Sequence, residues 1–127
     1  MPHLLIRVDG DASDDDADLC RSETEALAQR DWTSEPQFVD QTDAMLVYSP
    51  DQSPTLRTAG VVMDLPEPEA GVDEQAIRDD VSALVSAMSS LARRHRMEFS
   101  VEYREEQIGF LDGGEHDARV VPDFFGA

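Results

Sequence analysis

Asp14, Asp16, Asp18 and Glu25 stand at positions 1, 3, 5 and 12 of a calcium-loop pattern, and all four are oxygen donors. Position 6, where the sharp turn calls for glycine, is Leu19, and no helical pattern precedes the run. The expectation is therefore a solvated acidic loop, with weak divalent-cation binding as an alternative role. Cys20 is the single cysteine. As a nucleophile it would need a spatial partner among His3, His95 and His116, whereas a half-buried helix cysteine asks for none. One cysteine also excludes an internal disulfide and a thiolate metal cluster. His95 falls among basic residues where it would stabilise a helix C-terminus, so a zinc site on the three histidines is not expected.

No Gly-x-Ser-x-Gly, phosphate-cradling glycine loop or His-Glu-x-x-His occurs in the chain. Carboxylate pairs carry no weight as a hydrolase signal, because 28 acids in 127 residues meet by chance across any fold. The reading is a non-enzymatic chain with no cofactor and no metal.

Those acids face only ten basic residues, all arginine, for a net charge of −18. Binding nucleic acid by neutralising phosphates needs the opposite sign, and so does adsorption to an anionic membrane. No apolar run is long enough for a secretory signal or a membrane span, and the expected location is the cytoplasm. The acid clusters at 9–18, 64–80 and 98–117. Three roles suit it: plain solubility, attraction of a basic partner, or salt adaptation. The lysine-free, aspartate-rich composition is similar to that of halophile proteins, where external salt screens self-repulsion.

These residues must be positioned by a modest core, since 40% of the chain is hydrophobic. Leu4, Ile6 and Val8 alternate as a first strand. Residues 9–18 hold no large apolar group until Leu19 and read as the acidic loop, followed by a short helix from Leu19 to Arg30. Trp32 and Phe38 read as anchors of an irregular stretch. Ala44–Tyr48 and Ala59–Leu65 read as an antiparallel pair around the turn residues 49–54, with Val61, Met63 and Leu65 on one face. The segment 66–71 breaks the chain.

Asp73 is a good N-cap, with Val72 and Ile77 placed for a hydrophobic staple. Ile77, Val81, Leu84, Val85, Met88, Leu91 and Ala92 then form one helical stripe over about 73–95, acidic at its start and basic at its end. Phe99, Val101 and Tyr103 alternate as a strand. A bend at Glu105–Glu106 would set Tyr103 against Ile108 and Val101 against Phe110. The tail 118–127, apolar over Val120–Phe125, is either flexible or packed back. The sum is a single α+β domain over 1–127. Its antiparallel sheet of four to five strands packs against one long and one shorter helix.

The segment LARRHRMEFSVEYREEQIGFLDGGEHD, residues 91–117, resembles the helix-plus-hairpin of small acidic immunity proteins that neutralise bacterial toxins. The resemblance implies a cytoplasmic, non-enzymatic α+β domain that blocks a toxin's active site. On that reading a basic protein, a toxin or a nucleotide- or nucleic-acid-handling enzyme, is the partner. The contact candidates are Asp14, Asp15, Asp16, Asp18, Glu102, Glu105 and Glu106, each of which is otherwise an ordinary solvated carboxylate.

Overall fold

The computed structural model describes residues 3–44, 55–65, 73–104, 106–114 and 117. The expected strand over 45–48, the turn at 49–54, the break at 66–71, Val72, Glu105, His116 and the tail 118–127 lie outside the described residues.

The elements run β1 (His3–Val8), α1 (Asp14–Leu27), β2 (Gln37–Ala44), β3 (Thr55–Asp64), α2 (Glu74–His95), β4 (Phe99–Tyr103) and β5 (Glu106–Leu111). The strands form one antiparallel five-stranded sheet in the order β2-β3-β1-β4-β5. This is a single α+β domain with two helices, as the sequence predicts. The first strand takes the central place because Leu4, Ile6 and Val8 are flanked by apolar neighbours: Ile6 pairs with Val61 on one side and Val101 on the other.

The core lies on one face of the sheet. Leu4, Ile6, Ala59, Val61, Met63, Phe99, Val101 and Leu111 are buried there together with the α2 stripe. All seven residues of that stripe are buried, and Asp73 accepts from the Ala76 backbone N–H at 3.1 Å, as an N-cap should. The helix closes at Arg96, whose φ of 54° is the left-handed stop, while Arg93, Arg94 and His95 face the negative end of the dipole.

Several boundaries and one register differ from the sequence reading, and β3 begins at Thr55 rather than at Ala59. The acidic loop expected over 9–18 ends at Ser13, and Asp14, Asp15 and Asp16 form the first turn of α1. Ser13 Oγ accepts from Asp16 N–H at 3.1 Å, and Asp16 Oδ2 accepts from Ser13 N–H at 3.0 Å. That reciprocal cap favours carboxylates where the helix dipole is positive. The short helix therefore spans Asp14–Leu27 rather than Leu19 to Arg30.

The stretch around Phe38 is a strand, not irregular chain. Its pairing runs from Gln37 against Val62 to Ala44 against Thr55. The hairpin register also differs: Tyr103 opposes Glu106, Val101 opposes Gly109 and Ser100 opposes Phe110. Ile108 is the extra residue of a bulge, and Arg104 takes the tight turn at φ 54°.

Both helices sit on the core side, with α1 against β2, β3 and α2. Among the described residues the opposite face of the sheet therefore carries no helix. No helix among the described residues is long and apolar enough to cross a membrane.

Candidate functional site

The predicted contact residues do not form one patch. Asp14, Asp15, Asp16 and Asp18 sit on α1, which follows the C-terminal end of β1. Glu102 and Glu106 belong to the β4–β5 hairpin at the other end of β1, where Glu102 pairs with Leu5. Glu105 is outside the described residues.

Most of the carboxylates placed on α1 already have structural partners. Asp14 pairs with Arg57, Asp16 caps the helix, and Asp18 takes Arg21 at 2.7 Å. Glu102 accepts from Arg7 Nε at 2.7 Å. Arg57 is the hub at this corner: its guanidinium also forks onto Asp40, at 2.9 and 3.0 Å. That hydrogen-bonded fork holds the Asp40 carboxyl below its ordinary range and pushes Arg57 up.

The calcium-loop reading loses its basis here. Asp14, Asp16 and Asp18 are helical, so alternate residues project from different sides of α1, and each is engaged elsewhere. Among the described residues no three His, Cys, Asp or Glu side chains group as a metal site.

Cys20 is fully buried in the core rather than half-buried. Burial, followed by the charges of Asp16 and Glu23, pushes its thiol up to about 12. A thiol held protonated in this way is a packing group, not a nucleophile.

Two buried carboxylates that sequence reasoning left among the solvated acids instead anchor loops. Asp80, on α2, is only 3% exposed. It accepts from Arg30 at 2.7 Å and from the backbone N–H groups of Thr33 and Ser34 at 2.8 and 3.0 Å. Arg30 in turn lies 4.4 Å over the Trp32 ring, whose Nε1 donates to Leu27 O at 2.8 Å. Asp117 accepts from Ser89 Oγ and from Gly113 N–H, tying the turn after β5 to α2. Neither was legible from charge, because an acid recruited by backbone N–H groups looks like any other in sequence.

The helix-free face of the sheet holds a shallow groove of about 550 Å³. Leu5, Val39 and Val62 line it, with Gln37 and Gln41 on the edge strand and His3, Asp64 and Glu102 among the polar walls. His3 Nδ1 contacts Asp64 Oδ1, so this contact and the Arg7–Glu102 ion pair are both internal to the face. Next to the groove, Ile108 and Phe110 are 41% and 38% exposed, the exposed large hydrophobic side chains of the described residues.

Gln37 and Gln41 offer amide donors and acceptors at its rim above the apolar floor of Leu5, Val39 and Val62. The signal for this face was the second phase of each alternation: His3, Leu5 and Arg7 in β1 share it with Gln37, Val39 and Gln41 in β2.

Comparison of the chain with protein-family models, with curated proteins and with solved structures finds no match in any of the three.

Proposed function

We propose that this chain is a non-enzymatic binding protein that occludes a basic protein partner, acting as an immunity protein that neutralises a toxin in the cytoplasm. The carrying observation is how its few positive charges are used. Arg7, Arg21, Arg30, Arg57 and Arg94 are all engaged in ion pairs within the molecule. Each such pair also takes up a carboxylate, so the net charge of −18 stands as an excess of acid beyond the paired groups. A basic partner would be drawn in from a distance and aligned before contact. Of the described contact candidates, Asp15 and Glu106 are exposed and form no ion pair with a described residue, which leaves them open to that partner. Asp14, Asp16, Asp18 and Glu102 would have to exchange an existing bond.

The test is affinity capture from the source organism, identification of the captured protein, and its association rate across a salt series. The expected partner is basic. Its on-rate should exceed the roughly 10⁵–10⁶ M⁻¹s⁻¹ of an uncharged pair and fall at least about tenfold as salt rises. A neutral or acidic partner, or an on-rate indifferent to salt, would defeat the reading. So would catalytic turnover abolished by one substitution in this chain.

A second reading, favoured by the absence of lysine, is salt adaptation, with the acid serving solubility alone.

A further inference from the structure

We infer that the outer edge of β5 takes up an extended segment of a basic protein as a further strand of the sheet. The inference rests on the basic-partner reading above and names where, and by which contacts, that partner is held. Among the described strands β5 ends the sheet: β4 pairs with one side of it, and nothing described pairs with the other. Alternate residues of an antiparallel edge strand turn N–H and C=O groups outward, and the group that satisfies such a row is another strand.

Side chains single out this edge over that of β2. Ile108 and Phe110 are 41% and 38% exposed, the exposed large hydrophobic groups of the described residues, and both lie on β5. On β2, Phe38 and Val39 are half-buried and Asp40 is forked by Arg57. The bulge at Ile108 interrupts the β5 ladder towards the turn. Beyond it Gly109, Phe110 and Leu111 pair regularly with Val101, Ser100 and Phe99, which leaves a straight stretch of edge beside the exposed ring.

Charge decides what kind of strand fits. Glu106 begins β5 and Asp112 follows it, so the apolar middle lies between acids, and the six residues of the strand include no base. Two cations stand outside those acids: Arg104 precedes Glu106, and Arg93 backs the turn at Gly113. A strand with apolar residues in its middle and Lys or Arg at its ends matches that order. A second copy does not. Pairing β5 with its own equivalent, Ile108 against Phe110, sets Glu106 against Asp112 at both ends and brings −18 onto −18.

A defined probe tests this on the full chain. It is a blocked peptide alternating lysine with valine, about eight residues long so that it overlaps the six of β5. Two further peptides carry N-methyl groups on one alternate set of residues or on the other. Strand addition uses one set of peptide N–H groups and ignores the other. One methylated peptide should therefore bind at least about tenfold more weakly than the parent by titration calorimetry, and its sibling about as well. On binding, the backbone amides of residues 109–111 should shift in the NMR spectrum and gain protection from exchange. Phe110→Ser should weaken the parent peptide about tenfold with the spectrum of the fold retained, and Asp15→Ser, on α1, should change it little.

Two methylated peptides that both bind like the parent would reduce the contact to charge and overturn the inference. So would amide shifts centred on α1 or β2, or no binding at all. A basic captured partner whose complex leaves the β5 amides unmoved overturns this inference and keeps the partner reading. A neutral or acidic partner seated on those amides does the reverse: strand addition at β5 stands, while the basic partner falls from both.

Discussion

Burial pushes the Cys20 thiol from its ordinary value near 9 up to about 12, and the direction of that shift fixes how stability depends on pH. The unfolded chain loses the thiol proton first, so the contribution is intact below about pH 9 and declines between 9 and 12. The slope is roughly 1.4 kcal/mol per pH unit. Wild type and Cys20→Ala, unfolded in denaturant at rising pH, should show a stability difference that narrows above pH 9. A constant difference would mean that the thiol is solvated in the folded protein. Ser100 presents the opposite problem. Its Oγ is buried and has no hydrogen-bond partner among the described residues. A hydroxyl desolvated without a bond costs stability, so Ser100→Ala should raise the unfolding free energy by about 1 kcal/mol. A loss of similar size would reveal a partner for the hydroxyl.

At the scale of elements, the sharpest constraint is where β3 crosses β1. A Cβ built on Gly60 would lie 2.1 Å from Ile6 O and 2.6 Å from Arg7 Cα. Both obstacles are backbone of the central strand, which cannot rotate away. Gly60→Ala should therefore destabilise by about 2–3 kcal/mol or more, measured by denaturant unfolding, since it forces two paired strands apart. An unchanged midpoint would show that the strands separate freely.

The elements differed in how clearly the sequence announced them, and the cause is which force specifies each. Helix α2 was legible because apolar spacing and its cap agree: Ile77 to Ala92 mark one stripe and Asp73 begins it. Helix α1 begins earlier than its apolar residues suggest, because its first turn is held by the Ser13–Asp16 cap and the dipole rather than by core contacts. Strand β2 was hidden because its core-facing positions read Phe38, then Asp40, whose charge is taken up by Arg57. The β4–β5 register turned on a bulge at Ile108, which shifts the alternation by one residue, so a register counted straight from the turn misplaces the partners of Val101 and Ser100. The groove was the least legible feature, since it follows from strand order, and Gln37, Val62 and Leu5 meet only once β2, β3 and β1 are neighbours.

For the whole molecule, charge sets a stability question that no single contact answers. The folded chain holds −18 in a compact volume, and unfolding spreads that charge apart. Added salt weakens this repulsion, and it also weakens the attractive pairs such as Arg21–Asp18 and Arg94–Glu23. Exposed pairs of that kind contribute only about 0–1 kcal/mol each, so the repulsion is the larger quantity and screening should stabilise the fold. The thermal midpoint is expected to rise steeply at low salt and to level off by about 1 M, where the Debye length is already near 3 Å. A midpoint that falls with salt would show that the ion pairs dominate instead. A chain that folds only above about 1 M, beyond the reach of screening, would mark the acid as salt adaptation.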